Sequence, residues 1–163
     1  MPTFSFTVPG VPKSERKRNV SRGEHVARVD APDRVDWKGH IRACIHYAMA
    51  DYDVLPWGNA PIRGPVTLTI RYFKPKPKSY PKKPTQKYPW PDEWMTKPDC
   101  TNMTKIIEDC MNKIVWGDDA QVVTQHIHKG FDELPRAEVT VEWPGEESRE
   151  SPGKSESTEQ LTL

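Results

Sequence analysis

Near its start the chain alternates with a two-residue period: Phe4, Phe6 and Val8 are apolar, and Ser5 and Thr7 between them are polar. That pattern predicts a strand with one buried face, ended by Pro9-Gly10-Val11-Pro12. A second alternation, Val66, Leu68, Ile70 and Tyr72 against Thr67, Thr69 and Arg71, predicts another strand. Between them Trp37, Ile41, Cys44, Ile45 and Ala48 recur at helical spacing, and Pro32 suits a first helical turn. A helix is expected there from about Asp33 to Met49. The stripe Met103, Ile106, Ile107, Cys110 and Ile114 predicts a second helix from about Thr101 to Lys113, with Gly117 just past its end. Val122 to Lys129 and Ala137 to Trp143 read as strands, and the turn-prone Gly130-Phe131-Asp132-Glu133 between them predicts antiparallel pairing. The order β-α-β-α-β-β defines an α+β fold with a mixed sheet of about four strands and two main helices.

Three stretches lack such periods. Lys13-Ser14-Glu15-Arg16-Lys17-Arg18-Asn19 is basic and is expected to be a loop able to follow a phosphate backbone. Residues 74–97 carry too many prolines for a helix or a central strand. Lysines there, Lys82 and Lys83 among them, interleave with Tyr80, Tyr88, Trp90 and Trp94, which fits either a DNA-contacting flap or plain disorder. Residues 145–163 are rich in Ser, Glu and Thr and are expected to form a disordered acidic tail, leaving one folded domain over 1–144.

Composition narrows the function. A chain of 163 residues suits one compact domain, and 17 prolines with a mean hydropathy of -0.79 imply a small core. No apolar run approaches the roughly 20 residues that cross a bilayer, and Met1-Pro2-Thr3-Phe4-Ser5 lacks the regions of a signal peptide. A cytoplasmic protein with no membrane partner is expected. Cys44, Cys100 and Cys110 have no CxxC spacing, which argues against a disulfide framework and a zinc ribbon. Residues 1–90 hold 17 Lys and Arg against 7 Asp and Glu, whereas residues 91–163 hold 7 against 16. Cations that grip phosphates beside carboxylates that grip a metal are what a metal-dependent nuclease needs.

The chemistry concentrates between Asp99 and Asp119. On a wheel of about 100° per residue, Asn102, Lys105 and Asp109 fall within roughly 60° of one another, away from the apolar stripe. Asp99 precedes the helix, and Asp118-Asp119 follows it. Crowded carboxylates near a helix C-terminus make sense with a divalent cation among them, and oxygen-only ligands point to magnesium or manganese. Such an ion at neutral pH suits phosphodiester hydrolysis. Lys105 can add charge to the transition state or protonate a leaving group. Singly, these residues have plainer roles: Asp99 as a cap, Asp118-Asp119 as a turn, Lys105 on a solvated face.

The runs Lys97-Pro98-Asp99-Cys100-Thr101-Asn102-Met103-Thr104-Lys105, Glu108-Asp109 and Val115-Trp116-Gly117-Asp118-Asp119-Ala120-Gln121-Val122-Val123 resemble the RusA family of Holliday junction resolvases. The opening Phe6-Thr7-Val8-Pro9-Gly10-Val11-Pro12 is similar to that family's first strand and loop. The resemblance implies a RusA-like homodimer that binds branched DNA, four-way junctions above all, and makes paired nicks with magnesium. It makes Asp99, Lys105, Asp118 and Asp119 catalytic, with Asp99 and Asp119 as chief metal ligands and Asn102 in support. Thr101 stands where the family's Asp-x-Asp-Asn has its second aspartate. Asp109 can supply the missing charge, a water can fill the position, or activity is reduced. Asp109 is preferred, because it shares a helical edge with Lys105. Lys13, Arg16, Lys17 and Arg18 would hold DNA arms. Two readings compete: a DNA-binding protein that has lost its chemistry at Thr101, and a nuclease for flaps or forks. His126 and His128 share a strand face, without an evident third ligand for a metal.

Overall fold

The computed structural model describes residues 1–145, so most of the expected acidic tail lies outside the described residues. Its elements run β1 (Thr3–Pro9), β2 (Lys17–Arg22), β3 (His25–Asp30), α1 (Pro32–Ala50), β4 (Val66–Lys74), α2 (Cys100–Met111), β5 (Val122–Phe131) and β6 (Arg136–Glu142). A short 3-10 turn, Asp119–Gln121, precedes β5. The fold is α+β, with a mixed four-stranded sheet in the order β1-β6-β4-β5 and a separate β2-β3 ribbon. Among the described residues no helix is long and apolar enough to cross a membrane.

The alternating residues of β1, β4 and β6 are in register, which is why one sheet face forms the core. Phe4, Val141 and Leu68 make one row, Phe6, Val139 and Ile70 the next, and Val8, Ala137 and Tyr72 the third. All nine side chains are buried, each contributing about 1.5–3 kcal/mol where it is a large aliphatic or aromatic group. Trp37, Ile41 and Ile45 of α1 and Met103, Ile106, Ile107, Cys110 and Met111 of α2 complete this layer. The Tyr72 hydroxyl meets Thr104 Oγ1 at 3.1 Å within it, and burial pushes the phenol well above its usual pKa.

The structure departs from the sequence pattern in two places and decides between alternatives in a third. First, β5 and β6 do not pair: β4 lies between them, antiparallel to β6 and parallel to β5. The β4-to-β5 connection runs through α2, the crossover that parallel strands require. Second, part of the expected basic loop is strand: Lys17 to Asn19 belong to β2, paired antiparallel with β3 through a turn in which Gly23 has φ +63°. Third, the proline-rich segment is neither strand nor helix but is packed down. Trp94 is 2% exposed, stacks on Phe131 with centroids 6.4 Å apart, and lies under the ammonium groups of Lys74 and Lys129 at 4.2 and 5.1 Å. Tyr80 packs on Phe131 and hydrogen-bonds Thr96 Oγ1 at 2.9 Å. Trp90, in contrast, is 62% exposed.

Trp94→Ala should therefore cost about 3 kcal/mol in urea unfolding, as for other buried large aromatics. Trp90→Ala should stay within about 0.5 kcal/mol of the parent. Equal, small effects at both positions would mean that the loop is not held by Trp94.

Candidate active site

At the start of α2, Asp99 is the N-cap residue by its extended backbone, yet its side chain makes no capping hydrogen bond. The carboxylate is exposed and not consumed by the helix. The approach to it is fixed from β5: Lys129 Nζ donates to the carbonyls of Thr96 at 2.7 Å and Pro98 at 3.0 Å. Asp99 lines a cleft of about 380 Å³ with Lys13, Arg34, Lys97 and Asn102.

A second cleft, about 510 Å³, adjoins it and is lined by Glu15, Lys17, Arg28, Asn102 and Lys105. Asn102 belongs to both. The segment between them is tied to the helix by Glu15 N–H, which donates to the Asn102 carbonyl at 3.0 Å. Lys105 is solvent-facing, with its ammonium 3.8 Å from Glu15 Oε2. Farther along α2, Asp109 pairs with Lys38 of α1 at 3.7 Å, and Lys38 also holds Asp30 at 2.9 Å.

Beyond α2 the chain turns sharply over residues 116–121. Trp116 is fully buried, and its indole N–H donates to Asp119 Oδ1 at 2.9 Å. Gln121 ties the turn together: its Oε1 accepts from the N–H groups of Gly117 and Asp118, and its Nε2 donates to the carbonyls of Ile62 and Gly64. Asp118 caps the 3-10 turn by accepting from Ala120 N–H at 2.8 Å. One of the two neighbouring aspartates thus shapes the turn, and the other is aimed by a buried indole.

Glu108, a residue that the wheel argument passed over, belongs to this end of the site. It is half-buried on α2 and takes a hydrogen bond from Gln125 of β5. Burial, and next the negative charge of Asp119, hold its carboxyl above the usual range, with Gln125 opposing. Its spacing of seven from Thr101 puts both on one helix face two turns apart, the signal that could have singled it out.

The structure thus brings Asp119 into the field of Glu108, uses Asp118 to cap the turn, sets Asp99 with Asn102 at the opposite end of the helix, and engages Asp109 with Lys38. Among the described residues no three His, Cys, Asp or Glu side chains form a group able to hold a metal ion. Thr101 is exposed at the first turn of α2. Of the basic candidates, Lys13 and Lys17 line the two clefts, whereas Arg16, Arg18, Lys82 and Lys83 are exposed elsewhere on the loop and ribbon surface. His126 and His128 are exposed on β5. The three cysteines are free, and burial pushes the Cys110 thiol up to about 11.

A mixed α+β domain carries carboxylates at both ends of one helix and clefts lined by Lys and Arg along it, a charge arrangement suited to phosphate. Residues 9–142 match the family described as Endodeoxyribonuclease RusA, and the chain belongs to that family. It is also similar to the "Uncharacterized protein YqaN" of Bacillus subtilis (strain 168), with 34% identity over 83 residues. That match covers 49% of this chain and 58% of the relative.

Two outcomes follow from this geometry. Asp118→Ala should lose about 1 kcal/mol of stability in urea unfolding while Asp118→Asn, which can still cap, loses little. For Glu108, a folded pKa above the free value of 4.5 gives stability present below that pH and lost as pH rises through the folded value. Glu108→Gln should therefore gain on the parent between pH 4 and 8; a constant difference across that range would refute the assignment.

Proposed function

We propose that this chain is a structure-specific endonuclease that resolves four-way DNA junctions by divalent-metal-dependent phosphodiester hydrolysis. The observation that carries the reading is the family match, which spans residues 9–142, from the end of the first strand through the last, and includes Asp99 and the helix bearing Asn102 and Lys105. In this reading Asp119, with Glu108 beside it, is the chief metal ligand, and Asp99, at the far end of a helix about 18 Å long, does not share that ion and faces the substrate strand instead. Magnesium is the preferred ion and manganese also suits, because the available donors are oxygens.

The donor set fits such an ion in one respect: magnesium is commonly held by one or two carboxylates, several waters and the substrate's own phosphate, with no closed protein cage. The repulsion between Glu108 and Asp119 is the kind that a cation relieves. Glu108 therefore joins Asp109 as a source of the negative charge that Thr101 lacks, and it is the better placed of the two because Asp109 already faces Lys38. The bound ion would lower the pKa of a water and polarise the phosphoryl group. Trp116 holds Asp119 in direction, Asp118 holds the turn that presents it, and Lys105 offers an ammonium to the charge that develops on the departing oxygen. Lys13, Arg16, Lys17 and Arg18, with Lys82 and Lys83 of the proline-rich loop, serve as contacts to DNA arms. A homodimer matches a substrate of near two-fold symmetry, because two sites must reach opposed strands.

Incubation with a labelled four-way junction and Mg²⁺ should give paired nicks, reduced at least about 100-fold in Asp119→Asn, the scale of losing an electrostatic stabiliser. Undiminished cleavage by that variant would sink the reading. Thr101 favours one rival, a binding protein without chemistry, which predicts junction binding in EDTA and no nicking with any divalent ion. Forks and flaps cut faster than junctions would move the substrate assignment. Thr101→Asp should lower the Mg²⁺ concentration needed for half-maximal cleavage, since it restores a carboxylate.

A further inference from the structure

We infer that the cleft between the β2-β3 ribbon and α2 is a seat for one backbone phosphate of DNA, and that the Glu15 carboxylate occupies it until DNA displaces it. The inference rests on the DNA-cutting reading and adds Arg28 and Glu15 to it.

Three cations face this cleft from different elements: Lys17 from β2, Arg28 from β3 and Lys105 from α2. Glu15 uses one oxygen for each lysine: Oε1 lies 3.4 Å from Lys17 Nζ, and Oε2 lies 3.8 Å from Lys105 Nζ. Two acceptor oxygens of one anion spread between two ammonium groups is the arrangement that the non-bridging oxygens of a phosphodiester would adopt. Both distances exceed the roughly 2.7–2.9 Å of a strong charge-assisted hydrogen bond. The Lys105 and Lys17 side chains are 57% and 36% exposed, so solvent screens both pairs. The carboxylate is a weakly held guest.

Its backbone is held more firmly. Glu15 N–H is bonded to the Asn102 carbonyl, and Ala31 N–H closes the ribbon base on the Arg16 carbonyl. Displacement therefore needs only rotation of the Glu15 side chain, with the ribbon and helix left in place. With Glu15 swung out, Lys17, Arg28 and Lys105 present three cations, of which Lys17 still shares its charge with Asp30 at 3.4 Å, beside Asn102, which also borders the Asp99 cleft. A phosphate seated there fixes the strand at the edge of the proposed catalytic site and fills the gap that the Glu15 charge would otherwise contest.

The test is anisotropy of the full chain with a fluorescent four-way junction in EDTA, read across a salt series. Glu15→Gln keeps the shape and removes the charge, and should bind roughly fivefold more tightly at moderate salt, the size of one phosphate contact. Arg28→Ala should weaken binding by a similar factor and reduce the slope of log K against log salt by about 1, and Arg28→Lys should restore the slope. Glu24→Gln, at the ribbon turn, should change affinity much less than Glu15→Gln. A Glu15→Gln affinity equal to the parent's or to that of Glu24→Gln, or an Arg28→Ala slope that does not change, overturns the seat while leaving the nuclease reading intact. A parent protein that does not bind the junction at all overturns both.

Discussion

Everything about the site depends on the apolar face of α2. Six of its residues, Met103, Thr104, Ile106, Ile107, Cys110 and Met111, are buried, and moving any one of the aliphatic side chains out of contact would cost about 2 kcal/mol or more. With that face locked on the sheet, the helix cannot rotate. The opposite edge, carrying Asn102, Lys105 and Asp109, then points in one direction only. An alternating chain of charges reinforces the lock: Lys105 to Glu15, Glu15 to Lys17, Lys17 to Asp30, Asp30 to Lys38 and Lys38 to Asp109. It leaves α2, passes through the ribbon and α1, and returns to α2 one turn later. Exposed pairs of this kind are individually weak, so the chain sets the orientation of the ribbon and adds little to overall stability.

The second half of the site is delivered by sheet topology. Because β5 runs parallel to β4, the chain must cross over through α2 and come back to the same end of the sheet. Gln121 secures that return by binding the carbonyls of Ile62 and Gly64, just ahead of β4. The turn bearing Asp119 is thereby placed next to the last turns of α2, and Gln125, on the outgoing strand, reaches Glu108. Parallel pairing, a feature of the backbone, is what puts two distant carboxylates into each other's field.

Periodicity carried the readings of β1, β4, β6 and both helices, because each buries one face and the burial writes a period into the sequence. The β2-β3 ribbon left no such trace. Most of its described side chains are exposed and none is buried, so it is held by backbone pairing and by Gly23, and its residues are free to be basic on both faces. The pairing of β5 with β6 was misread for a related reason. A short polar connection suggests a hairpin, but the regularly apolar β6 fits the middle of the sheet and the polar β5 its edge. Lys129 and Trp94 could not be read as partners from a proline-rich run, since the contact joins segments 35 residues apart. The motif residues were legible one by one; which carboxylates share a field was not, because Asp109 and Glu108 are chain neighbours separated only by what packs against each.

The distribution of charge along α2 bears on the proposed cation. Helix dipoles favour negative charge at the N-terminus and disfavour it at the C-terminus. At the N-terminal end, where a carboxylate is well accommodated, this chain has Asp99 and a neutral Thr101. Its last turn instead carries Glu108 and Asp109 with no basic residue, and Asp119 lies in the field of Glu108. Lys38 answers one of these charges from α1. Glu108 stands against burial, against the charge of Asp119 and against the helix field, an arrangement that costs stability in the free protein. On the proposed reading, a divalent ion has most to offer where that cost is greatest, beside Glu108 and Asp119.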